Sequence, residues 1–80
     1  MATYTFLTNG DRWEGLAVDG DIVTQRHEVT AQDALNIAKT GPEIDQVEKV
    51  IARANEGYRP SRWPGSLDKI RESEEWRLIE

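Results

Sequence analysis

The 80-residue sequence contains no cysteine and a single histidine. Without cysteine the chain forms no disulfide, carries no thiolate nucleophile and cannot build a cysteine-ligated zinc or iron–sulfur site. Because small secreted domains usually rely on disulfides, a cytoplasmic location is expected. No apolar run approaches the ~18 residues of a membrane-spanning helix, and the N-terminus has neither the basic nor the long apolar segment of a signal peptide.

Basic residues are also in the minority, with 10 Lys and Arg against 15 Asp and Glu, for a net charge of −5. This balance argues against nucleic-acid and anionic-membrane binding, because both need an excess of Lys and Arg. It is compatible with a protein partner that has a basic surface. Leu, Ile, Val and Phe together number only 17. Residues 1–80 are therefore expected to form one small domain with a lean core.

Two turn signals near the N-terminus predict a three-stranded antiparallel β-meander. Asn9-Gly10 and Asp19-Gly20 are typical of type I′ hairpin turns, in which both central residues need φ > 0. The segments around them are rich in β-branched and aromatic residues. The predicted strands are Thr3–Thr8, Arg12–Val18 and Asp21–Val29.

Two-residue turns also define which residues face each other across the strands. They place Phe6 opposite Trp13, and Ala17 opposite Ile22. Gly15 would lie opposite Tyr4 and leave room for an aromatic ring, unless a β-bulge there changes the register. The other face of the meander is expected to be mostly solvated. The predicted core face consists of Tyr4, Phe6, Trp13, Ala17 and Ile22.

After the meander the pattern changes to helical spacing. Thr30 is a suitable N-cap with Asp33 as an acidic capping-box partner, and the first helix is expected to end at Gly41-Pro42. A second helix is predicted from Glu43 to Asn55. The apolar residues that recur there at helical spacing are Ile44, Val47, Val50, Ile51 and Ala54.

Residues 57–65 contain two Pro and two Gly and are predicted to form a loop. Ser66 can cap a short helix over Leu67–Ser73. The alternation in Glu75–Glu80 predicts a final strand, and continuation of the helix is the competing interpretation. The predicted fold class is α+β. A helix pair covers one face of the meander, and the C-terminal strand joins the sheet beside the first strand, in the order 4-1-2-3.

No set of residues predicts catalysis. His27 is the only imidazole and is expected on the solvated face beside Arg12. With 15 acidic residues some pair will be close by chance, so a carboxylate pair is not a specific signal. The segments 9–11 and 19–21 lack the spacing of a calcium loop, and turn formation explains both. We therefore expect no cofactor, no metal and no enzymatic activity. A small ligand-binding or catalytic domain that uses carboxylates and His27 is the alternative.

The candidate binding residues lie in two groups. The loop contributes residue types that are enriched at binding hot spots, namely Tyr58, Arg59, Arg62 and Trp63. Its two prolines reduce the entropy lost on ordering. In the alternative interpretation Trp63 completes the end of the core and the arginines are solvated or paired with nearby acidic residues. Asp19 and Asp21 belong to residues 1–56, which carry the whole charge deficit. Their negative charges either attract a basic groove on a partner or only increase the solubility of the chain.

The sequence thus predicts a small acidic, non-enzymatic binding protein that occupies the surface of a macromolecular partner, as an inhibitor, adaptor or accessory subunit. These properties also fit a viral or mobile-element product. In this hypothesis Asp19 and Asp21 attract the partner and the Tyr58–Trp63 loop anchors it. Self-association through a sheet edge is a further alternative.

Overall fold

The computed structural model describes residues 2–79 and has an α+β fold, which confirms the predicted class. A single mixed sheet contains five strands in the order β3-β2-β1-β4-β5. β1 and β4 run parallel, and the other neighbours are antiparallel. The strands are β1 (Ala2–Thr8), β2 (Glu14–Val18), β3 (Asp21–Arg26), β4 (Ile44–Ala54) and β5 (Trp76–Ile79). The helices are α1 (Ala31–Thr40) and α2 (Leu67–Glu72).

The predicted second helix over residues 43–55 is wrong, because this segment is the long strand β4. Its apolar residues are mostly β-branched, and such residues favour strands over helices. The pairing of β4 with β1 supplies the second reason. β1 lies in the middle of the sheet, where its backbone groups bond to a strand on each side, and β4 is the neighbour opposite β2 along Ala2–Thr8.

The C-terminal strand is confirmed as β5, and its predicted last residue, Glu80, lies outside the described residues. Its predicted position beside the first strand is wrong. β5 instead pairs with the end of β4, from Ile51 opposite Ile79 to Ala54 opposite Trp76. The predicted order 4-1-2-3 therefore becomes a five-stranded order because β4 is inserted between β1 and the C-terminal strand.

The register of the first hairpin also differs from the prediction. The Asn9 side chain accepts hydrogen bonds from the backbone N–H groups of Asp11 at 2.8 Å and Trp13 at 3.1 Å. The Asn9 N–H donates to the carbonyl of Trp13 at 3.0 Å. These bonds close a loop over residues 9–13 in place of the two-residue turn, so that Leu7 lies opposite Gly15. A local Asx hydrogen bond has outcompeted the type I′ turn.

This change moves the register by an odd number of residues, which transfers one strand's side chains to the other face. The predicted core face is therefore divided between the two sides of the sheet. Tyr4 and Phe6 lie on one side, with α1. Ala17, Ile22 and Trp13 lie on the other, with α2.

The second hairpin turn is confirmed. Asp19 has φ 50° and Gly20 has φ 90°, as a type I′ turn requires. Ala17 lies opposite Ile22, as predicted, and a β-bulge between Leu16 and Ala17 shifts the remaining pairs. The strand that follows ends at Arg26, three residues before its predicted end at Val29.

The two helices cover opposite faces of the sheet, so the predicted helix pair on one face is wrong. We call the sides the α1 face and the α2 face. Alternation along the strands separates the two clusters of buried residues. The α1 face buries Ala2, Tyr4, Leu16, Val18, Val29 and Ala34. The α2 face buries Leu7, Ala17, Ala52, Trp63, Leu67, Ile70 and Trp76.

The predicted N-termini of the two helices that form are confirmed, at Thr30 and Ser66. The Thr30 N–H donates to the Asp33 carboxylate at 2.7 Å. This bond, together with the Arg26 guanidinium, holds the pKa of Asp33 below its usual range. At α2 the Ser66 hydroxyl oxygen accepts the N–H of Lys69 at 3.2 Å. The caps therefore anchor α1 to β3 and begin α2 at the predicted position.

Candidate functional site

The loop over residues 57–65 crosses the α2 face and buries Trp63, whose side chain is only 4% exposed. Its ring packs directly on Gly15, where an added Cβ would lie 2.6 Å from Trp63 Cζ3. The predicted pairing of Gly15 with Tyr4 is wrong, because Gly15 lies opposite Leu7, and the ring that occupies the space at Gly15 is Trp63. Its indole Nε1–H donates to the carbonyl of Ala52 at 3.3 Å. We therefore assign Trp63 a packing role and leave it out of the contact surface.

The Gln25 side chain holds the backbone of Trp63 in place. Its Oε1 accepts the Trp63 N–H at 2.9 Å, and its Nε2 donates to the Trp63 carbonyl at 3.0 Å. The same Oε1 accepts the indole N–H of Trp13 at 2.9 Å. One amide on β3 therefore joins two tryptophans, and this polar clamp could not be identified from spacing along the sequence.

Two of the predicted loop anchors, Tyr58 and Arg59, lie at a shallow pocket of about 390 Å³ at one end of the sheet. Tyr58 is 42% exposed. The Arg53 guanidinium belongs to the same pocket and lies against Gly10, 3.2 Å from where a Cβ would be. Asp11 also lines this pocket. The predicted anchor Arg62 is exposed on the same loop. This pocket joins an aromatic ring to two cations.

Asp19 and Asp21 lie far from that pocket. Asp19 contacts the start of β1, where its Oδ1 accepts the N–H of Thr3 at 3.0 Å. Tyr58 shares its pocket with Asn9, just beyond the other end of β1. Six residues of strand between Thr3 and Asn9 correspond to about 20 Å. The two predicted groups therefore do not form one contact patch, and one Asp19 oxygen is already bonded to the backbone of β1.

His27 is exposed, and its Nδ1 lies 3.1 Å from the carbonyl oxygen of Arg12. Its ring meets the ring of Trp13 nearly at right angles, at a centroid distance of 5.3 Å.

Among residues 2–79, no group of three or more His, Asp or Glu side chains has the arrangement of a metal site. In the same part of the chain, no helix is long and apolar enough to cross a membrane.

A larger concavity, not predicted from the sequence, lies on the α1 face. This α1-face groove has a volume of about 790 Å³. Its apolar lining includes Phe6, Val29, Ala31, Ile51 and Ile79, and its polar lining includes Thr8, Glu14 and Lys49. Its shape depends on Glu14, whose Oε1 accepts the N–H of Val29 at 2.8 Å and so holds the entry to α1 beside the sheet.

The groove is open because α1 covers only part of this face. Val47 is 57% exposed and Ile79 is 43% exposed. In the parallel register Val47 lies beside Tyr4 and Ile51 beside Thr8, which places both on the α1 face. Alternation along β4 then puts Lys49, Ile51 and Arg53 on this face in succession. Arg53, two residues beyond Ile51 on the same strand, lines the Tyr58–Arg59 pocket, so the two concavities lie next to each other along β4.

The sequence contained one signal for the groove. Val47 and Ile51 belong to the apolar residues that were assigned to a helix. When the segment is a strand, the same two residues lie on one face of the sheet.

No protein family, no curated protein and no solved structure matches the chain.

Proposed function

We propose that the chain is a small acidic, non-enzymatic binding protein and that a protein partner is bound at the α1-face groove. The observation that carries this proposal is the groove itself, about 790 Å³ in volume and with a largely apolar lining. Clefts of ~300–1,000 Å³ with apolar walls and a few polar groups are typical of small-molecule sites, and a cleft of this size also has room for apolar side chains of a protein partner.

The exposure of aliphatic side chains beside the groove supports the same proposal. The chain has only 17 Leu, Ile, Val and Phe residues, so each one left in solvent is lost to the core. Val47 and Ile79 are nevertheless about half exposed at one sheet surface. Exposed aliphatic side chains beside a concavity are a common mark of an interaction site. The partner's contact residues are therefore apolar side chains that enter the groove.

The polar surroundings define the edges of the contact surface. Arg53 lines the neighbouring pocket with Tyr58 and Arg59, whose residue types are frequent hot spots. In this proposal these side chains contact acidic or aromatic groups of the partner. The net charge of −5 favours a partner that is basic elsewhere. Asp19 and Asp21 then contribute to the association rate through long-range attraction and make no direct contact.

The test is affinity capture from a cell lysate at low and high salt, followed by binding measurements with the purified captured protein. The variants are Ile79→Glu in the groove and Arg59→Ala at the pocket. Leu35→Glu is the matched control, because Leu35 lies on α1 outside the groove lining and is 51% exposed. Circular dichroism establishes that each variant is folded.

We expect one protein to be retained by the wild type and by Leu35→Glu, and lost by Ile79→Glu. Arg59→Ala should weaken binding by about tenfold, as loss of a hot-spot side chain does. A partner that binds Ile79→Glu as tightly as the wild type would contradict the groove as the contact surface. Equal loss in both glutamate variants would show non-specific apolar capture and would also contradict it.

A further inference from the structure

Two arginine side chains lie at the Tyr58–Arg59 pocket, although the whole chain has a net charge of −5. Arg53 and Arg59 both line this pocket of about 390 Å³, and Asp11 is the one acidic residue among its described lining. Within residues 2–79, neither arginine forms an ion pair or a side-chain hydrogen bond. The pocket therefore contains positive charge that no carboxylate of the described chain neutralises by direct contact.

The surroundings of the pocket do not supply the missing negative charge. Glu56 lies between the two arginines along the chain and Glu75 directly precedes β5, yet in the described part of the chain neither glutamate forms an ion pair. Arg77 lies directly opposite Arg53 in the pairing of β4 with β5. Like charges at opposed positions destabilise a sheet. An anion bound at Arg53 would reduce this repulsion.

The backbone at Gly10 positions the Arg53 guanidinium. A Cβ at Gly10 would lie 3.2 Å from Arg53 Nη2 and 3.3 Å from its Nε, so the guanidinium rests against the backbone of the loop over residues 9–13. Gly10 has φ 81°, and its N–H donates to the Thr8 hydroxyl oxygen at 3.1 Å, which holds the loop beneath this group. A side chain that is already positioned loses less conformational entropy when it binds a ligand.

The remaining wall of the pocket is aromatic and apolar. Tyr58 is 42% exposed, and Ala54 and Pro60 line the same pocket. The N–H of Tyr58 donates to the carbonyl of Asn55 at 3.1 Å, so a turn directly after β4 positions the tyrosine. A ligand that matches this pocket therefore combines an anionic group with an aromatic body.

We propose that the Tyr58–Arg59 pocket binds a phosphate monoester of an aromatic group. Such a monoester carries about −1.5 to −2 charges at pH 7 and three acceptor oxygens, so both guanidinium groups can bind it. A carboxylate has a single charge and matches one guanidinium. This goes beyond the proposed partner binding, because the pocket takes the ligand without the α1-face groove.

The test is an NMR titration of the isotope-labelled chain with phenyl phosphate, at constant ionic strength and about pH 7, where the phosphate is mostly doubly charged. Benzoate is the comparison ligand, because it keeps the ring and carries a single charge. Arg53→Gln and Arg59→Gln each remove one cation from the pocket. Arg62→Gln is the matched control, because Arg62 is exposed on the same loop and lies outside the pocket lining.

We expect phenyl phosphate to shift the amide signals of Gly10 and Tyr58, with a dissociation constant of about 1 mM or lower. Arg53→Gln and Arg59→Gln should each weaken binding about tenfold, and Arg62→Gln should bind like the wild type. Benzoate should bind about tenfold more weakly than phenyl phosphate. The proposal is overturned by the absence of saturable binding, by equal affinities for the two ligands, or by equal losses in all three variants.

The acidic residue of the pocket supplies a test in the opposite direction. Asp11→Asn should tighten the binding of phenyl phosphate, because it removes the negative charge from the pocket lining. Asp21→Asn changes the net charge equally at the distant second hairpin and should leave the affinity unchanged. Equal tightening in both variants would show a general effect of net charge and would overturn the site.

A phosphotyrosine peptide and a mononucleotide distinguish two sources of an aromatic phosphate. Tighter binding of the peptide would identify a phosphorylated protein as the source, tighter binding of the nucleotide would identify a free small molecule, and either result supports the pocket. Failure of both to compete with phenyl phosphate would overturn it. The groove variant Ile79→Glu lies outside the pocket lining, so failure of partner binding is distinguishable from failure of phosphate binding.

Discussion

Substitution of Gly15 by alanine tests the packing on the α2 face most directly. The new Cβ would lie 2.6 Å from Trp63 Cζ3 and 3.1 Å from Cε3. The ring cannot move away freely, because its Nε1–H is bonded to the Ala52 carbonyl and Gln25 holds the Trp63 backbone on both sides. The clash must therefore displace either the loop or strand β2.

The magnitude follows from two opposing terms. Overpacking a filled core costs about 1–3 kcal/mol. Alanine also restricts the unfolded chain, which favours the folded variant by about 0.4–1 kcal/mol. We expect a net loss of about 1–2 kcal/mol in the free energy of unfolding. For a domain of this size each kcal/mol lowers the melting temperature by about 4–8 °C.

The assay is urea unfolding followed by tryptophan fluorescence, with Gly65→Ala as the matched control. A Cβ on Gly65 would meet nothing within 4 Å, so this variant should be as stable as the wild type or slightly more stable. The Trp63→Phe background supplies the decisive comparison, because phenylalanine lacks the outer ring that carries Cζ3. The penalty of Gly15→Ala should largely disappear there. An equal penalty in both backgrounds would refute the packing argument.

Three further perturbations test other contacts, each by urea unfolding. Gln25→Leu removes the oxygen that accepts the indole N–H of Trp13 and the backbone N–H of Trp63, and should lower the free energy of unfolding by about 1–3 kcal/mol. No loss of stability would show that these two donors find other partners. Gly20→Ala should cost about 1–2 kcal/mol from backbone conformation alone, because Gly20 has φ 90° and open space around it, and a neutral effect would contradict the turn. Asp33 has a lowered pKa, so its stabilising effect is complete above the usual aspartate range and is lost as the pH falls through the folded-state value. The stability difference between wild type and Asp33→Asn should therefore shrink below about pH 4, and a difference independent of pH would contradict this assignment.

The two glycine turns show how far local sequence determined the fold. Both were predicted as two-residue turns, and both glycines do have positive φ. Only Asp19-Gly20 forms the predicted turn, because the Asn9 side chain binds the N–H groups of its own loop. A competition of about 1 kcal/mol between such local bonds decides the register. The register in turn decides the face of every following residue, so a small local error divided the predicted core.

Strand β4 was mistaken for a different reason. Ile44, Val47 and Val50 satisfy a helical period, and their β-branching favours a strand. The choice between helix and strand depends on β1, because pairing with this distant segment satisfies the backbone hydrogen bonds on the second side of β1. The groove depends on the same pairing, so it could not be predicted before β4 was known to be a strand. Tyr58 and Arg59 were identified from residue type alone, and the structure places them at one pocket with Arg53.

The central position of β1 has a consequence for how the chain acquires its fold. β1 is near the N-terminus, yet its parallel neighbour begins only at Ile44. During synthesis the meander can therefore form while the other edge of β1 is still unpaired, an arrangement prone to non-native association. The parallel pairing of β1 with β4 joins two strands that are far apart in the sequence, and such non-local contacts slow folding. We expect the sheet to be completed only after β4 has left the ribosome.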